Sequence, residues 1–296
     1  MDKFRYFRET LLWPLADDLN FEDWLGNFKD GFEREIAQHI LNFFIYVPDK
    51  MIDQMLSTVI GKCGYYLKQE RGLWSHDDFK RNCFYSFIQG ETPNPTDSGY
   101  LFTRKLRDVI GIPEAKLLEF KDLHSRLSQS TNMNVILVDD FVGTGCQTIE
   151  AWTQWKDPKT NQTMQEIVRA NNHKVVYAPL IVNYKGYERI QSVCTELKLV
   201  FIHYLDETYS LFHSNCPCWG GDEKLYNRAV DLISNKSLFL DIPSDISSRT
   251  TFFQGFDSQG LALAFHHGIP DASLPIFYWK TEDWKPLIKK EYPRPY

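Results

Sequence analysis

The spacing of hydrophobic residues divides the chain into a helical front and a longer part in which apolar runs alternate with helical stretches. Over residues 1–70, apolar side chains recur every three or four positions, as on one face of an α-helix. They include Phe28, Phe32, Ile36, Ile40 and Phe43, followed after Pro48 by Met51, Met55 and Val59. The pattern predicts a helical N-terminal extension over residues 1–75, whose aromatic stripe we assign to core packing rather than to a partner surface.

After residue 80, short apolar runs predict strands, and most of the stretches between them favour helices. The predicted strands cover residues 83–88, 135–138, 174–182, 199–205 and 261–265, and the predicted helices cover residues 100–109, 148–171, 185–197 and 222–233. Alternating strands and helices are typical of a parallel sheet, which binds ligands beyond the carboxyl ends of its strands. We therefore predict an α/β fold with a mainly parallel sheet flanked by helices over residues 76–205. Residues 206–296 are expected to form an irregular cover whose last strand returns to that core.

Composition limits the partners and the location of the protein. The 33 basic and 39 acidic residues give a net charge of −6, which disfavours broad electrostatic binding to nucleic acid. No stretch approaches the roughly 18 apolar residues of a membrane span, and the N-terminus lacks an apolar signal core. Six widely spaced cysteines show no disulfide framework, so we expect a reducing, cytoplasmic environment.

One group of residues contains side chains of the types that bind zinc. His213, Cys216 and Cys218 lie close together in the sequence, next to Pro217. A structural zinc site with four protein ligands needs a second pair at suitable spacing, and none is evident. We therefore favour free, buried thiols at the two cysteines.

The strongest chemical signal lies where a buried strand meets two carboxylates. Four aliphatic residues, 135–138, read as a strand covered on both faces, and Asp139 and Asp140 follow directly. Two carboxylates can accept hydrogen bonds from two ribose hydroxyls or hold Mg²⁺ against them. Because side chains on a strand alternate between its faces, both acids can serve one ligand only if the chain is leaving the strand there, as the following glycines favour.

A glycine-rich turn follows the acids. Gly143 and Gly145 allow positive φ and close approach of a ligand, and Thr144 and Thr148 offer hydroxyl groups. The helix predicted to begin near Thr148 directs its positive N-terminal end at the turn, which suits a phosphate. Acids directly before a phosphate loop match neither a dinucleotide fingerprint nor a Walker loop. Together they indicate a site for ribose 5-phosphate.

These residues resemble the phosphoribosyltransferase signature, in which a hydrophobic strand, two acids, two apolar residues and a Thr-Gly loop bind phosphoribosyl diphosphate. By position, the resemblance assigns Asp139 and Asp140 to the ribose and to catalysis. It assigns the 5-phosphate to the loop of Gly143, Thr144, Gly145, Cys146 and Gln147, with Thr148 one position later. It also implies Mg²⁺ as the cofactor.

A second resemblance narrows the family. Segments 251–260 (TFFQGFDSQG), 265–268 (FHHG) and 274–279 (LPIFYW), with Ser98 and Gly99 upstream, are similar to a phosphoribosyltransferase-like family of bacterial conflict systems. In that family the domain is regarded as an effector of antiphage defence, in some cases encoded beside a retron reverse transcriptase. The resemblance implies phosphoribosyl diphosphate or a nucleotide as the ligand. It also implies a defence-system partner, such as a complex of reverse transcriptase and non-coding RNA.

Other candidate ligand-binding residues lie near predicted strand ends. Phosphoribosyltransferases place a diphosphate-binding loop one structural unit before the acids, and the corresponding candidates are Gln89, Gly90, Ser98 and Gly99. Ser98 has an equally plain interpretation as a helix cap. Lys185 could contact a diphosphate, although charged residues at strand ends are usually only solvated. His266 could act as an acid or base or bind a phosphate oxygen, and its alternative is a structural histidine.

Three functions stay open at this point. The first is a phosphoribosyltransferase in which Mg²⁺ and positioning supply most of the rate. The second is a non-catalytic nucleotide sensor, favoured by two departures from the signature: Gly143 replaces a small hydroxyl residue or alanine, and Gln147 replaces a common threonine. The third is a toxin that acts on nucleotides or nucleic acid through the same pocket.

Overall fold

The structure is a computed structural model that describes residues 2–14, 19–29, 31–71, 75, 78–89, 98–240, 242 and 252–288. Its α-helices are Lys3–Glu9 (α1), Phe21–Leu25 (α2), Phe32–Phe43 (α3), Asp49–Arg71 (α4), Asp78–Asn82 (α5), Ser98–Asp108 (α6), Phe120–Ser128 (α7), Cys146–Thr153 (α8), Met164–Ala170 (α9), Tyr184–Val193 (α10) and Glu223–Ser237 (α11). Its β-strands are Ile45–Val47 (β1), Cys83–Phe87 (β2), Asn134–Val142 (β3), Lys174–Asn183 (β4), Leu197–Leu199 (β5), His203–Leu205 (β6) and Leu263–Phe265 (β7). None of the helices in these ranges combines the length and apolar character that a membrane crossing requires.

Contacts within the chain separate two compact units. Residues 50–205 form the sheet unit, and residues 1–49 together with 206–296 form the second unit. This grouping differs from the predicted segments 1–75, 76–205 and 206–296. Helix α4, predicted as part of the N-terminal extension, belongs to the sheet unit, and the first 49 residues pack with the C-terminal part of the chain.

The sheet unit contains a five-stranded sheet in which every pairing is parallel. Its strands run in the order β2-β3-β4-β5, and β6 also pairs with β4. The predicted α/β fold with a parallel sheet and flanking helices is therefore confirmed. The predicted strand over 199–205 is two short strands, β5 and β6, that pair with different parts of β4. Because all the strands are parallel, their carboxyl ends lie at one edge of the sheet.

One face of this sheet packs against helices α7, α8, α9 and α10. The inward side chains of β3 and β4, including Leu137 and Tyr177, join Trp152 and Ile190 of the helices in one buried apolar cluster. The predicted helix over 148–171 is two helices, since the buried carboxylate of Asp157 accepts the N–H groups of residues 159 and 160 and fixes a turn between them.

Helices α4 and α6 belong to the same unit and are joined by an ion pair. Lys105 of α6 lies 2.6 Å from the Asp53 carboxylate of α4, and only 10% of the lysine side chain is exposed. Gly99 in the first turn of α6 lies against Phe87 of β2, where an added Cβ would come within 2.0 Å of the ring. The start of α6 is thus fixed close to the carboxyl end of β2.

The second unit has its own core, rich in aromatic residues. Trp24 and Trp284 both donate their indole N–H to the carbonyl of Ile276, at 2.8 and 3.0 Å. Cys216 and Cys218 are buried in the same apolar cluster. The two thiols therefore contribute to the packing of this core.

A two-stranded parallel sheet in the second unit corrects the prediction for the C-terminal strand. Strand β7 pairs with β1, with Ile45 opposite Leu263. The sequence predicted a strand at 261–265 that returns to the main sheet, and it predicted helix at 45–47. The spacing of hydrophobic residues along the sequence could not reveal the pairing of β1 with β7, because the two strands lie more than 200 residues apart in the chain.

Candidate functional site

The acid pair lies at the carboxyl edge of the main sheet, within β3. The pairing of β3 with β4 continues to Val142, so the prediction that the chain leaves the strand at the acids is wrong. The pairing is interrupted only at Asp140 within this register, so the regular alternation of side chains is broken there, and the carboxyl groups of Asp139 and Asp140 meet although the strand continues. The N–H of Asp140 donates to Asp139 Oδ1 at 2.9 Å, and that of Phe141 donates to Asp140 Oδ1 at 2.8 Å.

The two carboxyl groups interact with each other. Both acids are half-buried, and their side chains share a hydrogen bond. Burial raises the pKa of Asp139 well above its ordinary range, and the negative charge of Asp140 and the shared hydrogen bond raise it further. Burial and the neighbouring charge therefore disfavour ionisation of both carboxyl groups at once.

A buried tyrosine that the sequence interpretation missed forms a hydrogen bond with one acid of this pair. Tyr177 of β4 donates its hydroxyl to Asp139 Oδ2 at 2.7 Å, and Thr148 donates to the Tyr177 hydroxyl at 3.3 Å. The available signal was weak: one hydroxyl-bearing aromatic residue in an otherwise aliphatic, buried strand. The contact itself depends on the register between β3 and β4.

The glycine-rich turn has a buried side and an open side. Thr144 and Gly145 are buried, Gly143 is half-buried, and Cys146 and Gln147 are exposed. Gly145 has a φ of 74° and caps α8, which begins at Cys146, two residues before the predicted start. Because the first N–H groups of a helix have no partner inside it, the beginning of α8 offers donors to an anion at the turn.

Helix α10 holds the turn in place. An added Cβ at Gly186 would lie 2.6 Å from the carbonyl oxygen of Gly143, and one at Gly145 would lie 2.9 Å from Ile190 Cγ1. These contacts leave no room for larger residues. Lys185 precedes Gly186 in the first turn of α10, where its N–H donates to Asn183 Oδ1 at 3.1 Å. The structure therefore brings the start of α10 and the turn together.

The candidates near β2 are only partly described. Gln89 follows β2 and is half-buried, and the pairing of Phe87 with Val138 places it at the same edge as the acid pair. Gln147 Nε2 donates to the carbonyl of Ile88 at 3.3 Å, which ties the turn to the end of β2. Ser98 and Gly99 form the first residues of α6. Gly90 and the loop to residue 97 lie outside the described residues.

His266 belongs to the second unit. Its Nδ1 lies 3.2 Å from the hydroxyl oxygen of Tyr46, and the residue is half-buried. This hydrogen bond follows the pairing of β1 with β7, since Tyr46 lies in β1 and His266 directly follows β7. A ligand-binding role for His266 stays a prediction.

The donor set of the acid pair determines how it could hold a metal ion. Among the described residues, no group of three or more His, Cys, Asp or Glu side chains is placed to bind one. Mg²⁺ often uses only one or two carboxylates together with substrate phosphates. Since Asp139 and Asp140 already accept hydrogen bonds from within the protein, they suit an ion shared with a bound ligand rather than one held by the protein alone.

Replacing Asp139 by asparagine is expected to stabilise the folded protein near neutral pH. The folded state keeps a proton that the unfolded state releases once the pH rises above the ordinary carboxyl pKa of about 3.9. Stability therefore falls as the pH rises between the unfolded and the folded pKa. Asparagine does not titrate, so the unfolding free energy near neutral pH should rise, on the order of 1 kcal/mol, and vary less with pH.

Chemical denaturation at several pH values between about 4 and 8 measures this effect. Asp122→Asn, the same substitution at an exposed position of α7, is the matched control and should change stability by less than about 0.5 kcal/mol. A loss of stability in Asp139→Asn at every pH would show that the carboxyl group is not strained by its burial.

Comparison with known proteins adds one finding. The PRTase-CE family model matches residues 21–290, which is most of the chain and includes every candidate site residue named above. No curated protein matches the chain. The match covers parts of both units.

Proposed function

The chain belongs to the PRTase-CE family, a phosphoribosyltransferase-like effector family, and on that premise we propose that it binds the ribose 5-phosphate unit of phosphoribosyl diphosphate or of a nucleotide. The observation that carries the proposal is the half-buried acid pair in β3, followed within three residues by a turn whose outer side is open. Both lie at the carboxyl edge of a parallel sheet, where ligands of such folds bind.

The ribose and the 5-phosphate of the proposed ligand bind at two subsites. Asp139 and Asp140 accept hydrogen bonds from two ribose hydroxyls, for which carboxylates are strong acceptors. The turn from Gly143 to Thr148 takes the 5-phosphate through backbone N–H groups and the positive end of α8. Lys185, whose neighbour Gly186 contacts the turn, supplies positive charge near the phosphates.

The proposed reaction is transfer of a phosphoribosyl group. The bond between C1 and the diphosphate oxygen breaks, diphosphate leaves with the electron pair, and a base or another nucleophile attacks C1. Mg²⁺ bound with the substrate would neutralise the charge of the departing diphosphate. The residues of the chain hold the ribose and the phosphate in position, so no protein nucleophile is required.

Isothermal titration with phosphoribosyl diphosphate and Mg²⁺, paired with an assay for released diphosphate, tests this function. We expect saturable binding to the wild type at one site per chain. Binding accompanied by diphosphate release in the presence of a nucleobase mixture supports a transferase. Binding without release supports the sensor, which the departures from the signature at Gly143 and Gln147 favour. No binding of phosphoribosyl diphosphate or of any nucleotide would contradict the proposed site.

We propose further that the protein is an effector of antiphage defence, which its family membership supports. Expressing the wild type and the Asp139→Asn/Asp140→Asn variant in bacteria, with and without a retron reverse transcriptase and its RNA, tests this role. Phage protection or growth arrest that needs the acid pair supports the effector. Toxicity that survives the double substitution would remove this pocket from the mechanism.

A further inference from the structure

We propose that Tyr177 is a positioning residue that couples the phosphate-binding turn to the acid pair. The inference rests on the proposed ribose 5-phosphate site and adds a link between its two subsites. Tyr177 does not reach the ligand in this proposal. It acts through Asp139 on one side and through Thr148 on the other.

The link consists of two hydrogen bonds inside the protein. Thr148 Oγ1 donates to the hydroxyl oxygen of Tyr177 at 3.3 Å, and that hydroxyl donates to Asp139 Oδ2 at 2.7 Å. Tyr177 is 1% exposed and Thr148 is 2% exposed. Water therefore has little access to the bond between Thr148 and Tyr177, and the bond to the half-buried Asp139 carboxyl group is partly shielded.

The bond from Tyr177 sets the orientation of the Asp139 carboxyl group. The last torsion of an aspartate side chain is broad and nearly two-fold, so its plane is held mainly by its hydrogen bonds. Asp139 Oδ1 accepts the N–H of Asp140, and Oδ2 accepts the hydroxyl of Tyr177. With both oxygens held from within, the remaining lone pairs have fixed directions for a ligand.

The bond from Thr148 connects this carboxyl group to the turn. Thr148 lies in the first turn of α8, and Gly145 caps that helix. An anion bound by the N–H groups of the turn acts on the same helical turn that carries Thr148. The ring of Tyr177 is packed in the apolar cluster of β3, α8 and α10, so a shift of Thr148 passes to Asp139 through a rigid group.

The test compares affinities for two probes, ribose 5-phosphate and inorganic phosphate. Tyr177→Phe keeps the ring and removes the hydroxyl. We expect it to weaken binding of ribose 5-phosphate about 10-fold, because the Asp139 carboxyl group loses one of the two bonds that orient it, and to change phosphate binding less than about two-fold. A purely structural role would lower both affinities equally and leave their ratio unchanged.

Tyr85→Phe is the matched control. Tyr85 of β2 is as buried as Tyr177, and its hydroxyl has no hydrogen-bond partner within the part of the chain that the structure describes. Its substitution should leave both affinities at wild-type values. A thermal melt of each variant confirms that the comparison is made between folded proteins.

A double substitution separates positioning from a direct contact. In the Asp139→Asn background, Tyr177→Phe should cost ribose 5-phosphate binding nothing more, because the group through which it acts is already changed. The double variant can also be measured if Tyr177→Phe alone fails to fold, because Asp139→Asn is expected to raise stability. A further loss of the affinity ratio in the double variant would overturn the proposal.

Two further outcomes distinguish a failure of the coupling through Tyr177 from a failure of the proposed ribose 5-phosphate site. Wild-type binding of ribose 5-phosphate with an unchanged affinity ratio in Tyr177→Phe overturns the coupling and leaves the site intact. Failure of the wild type to bind ribose 5-phosphate contradicts the proposed site itself, and the coupling with it.

Discussion

Replacing Asp139 and Asp140 together by asparagine is expected to weaken the binding of phosphoribosyl diphosphate roughly 30-fold or more. Each acid is proposed to accept a hydrogen bond from a ribose hydroxyl, and such a bond is worth about 1.5–3 kcal/mol at a charged group and about 0.5–1.5 kcal/mol at a neutral one. One bond of each kind amounts to about 2–4.5 kcal/mol, which corresponds to roughly one and a half to three orders of magnitude in affinity. Asparagine has nearly the same shape, so the loss measures charge and acceptor strength rather than packing. Isothermal titration in the presence of Mg²⁺ measures it.

The binding of inorganic phosphate serves as an internal control for this variant. The turn and the start of α8 are unchanged in it, so affinity for phosphate should stay within a few-fold of the wild type. Asp122→Asn, on the exposed side of α7, should bind phosphoribosyl diphosphate like the wild type. Equal affinity of the double variant and the wild type for phosphoribosyl diphosphate would exclude the acids from the ligand site.

Replacing Gly186 by alanine is expected to impair both the stability and the ligand binding of the sheet unit. The added Cβ would lie 2.6 Å from the Gly143 carbonyl oxygen and 2.6 Å from Val142 Cγ1. The first of these atoms belongs to the backbone and cannot rotate away. The clash should cost about 1–3 kcal/mol of unfolding free energy and displace the turn, with a loss of affinity for inorganic phosphate of about 10-fold or more. Denaturation and phosphate titration on the same sample measure the two effects.

Gly61→Ala gives the matched control because it is the same substitution in another helix of the same unit. An added Cβ at Gly61 in α4 meets nothing within 4 Å. Alanine is favoured over glycine inside a helix by about 1 kcal/mol, so this variant should be slightly more stable than the wild type and bind phosphate equally well. If Gly186→Ala behaved like Gly61→Ala, close packing of α10 would not be what holds the turn.

Much of the sheet unit could be predicted from the sequence, because its signals are local. The aliphatic runs of β2, β3 and β4 are long enough to mark strands buried on both faces, and the stretches between them have helical spacing. The position of the acids and the glycines beside such a strand also placed the candidate site at the carboxyl edge. These features need only a few consecutive residues to be recognised.

The predictions that differ from the structure depend on contacts between distant residues. Strand β1 has three residues and pairs with β7, more than 200 positions away. The assignment of α4 to the sheet unit also depends on tertiary packing, since its periodicity resembles that of the helices before it. Periodicity gives the type of an element and the face that it buries, but it does not identify the partner.

By itself, the amino-acid sequence determined that a buried apolar run is followed by two acids and a glycine-rich turn, and this is enough to suggest sugar phosphate chemistry. Only the tertiary structure decided that the strand continues past the acids, that their carboxyl groups contact each other, and that Tyr177 and Gly186 support the site. The physical reason is that these contacts depend on strand register and on the close approach of α10. Both are set by the packing of the whole sheet unit and leave no local pattern in the chain.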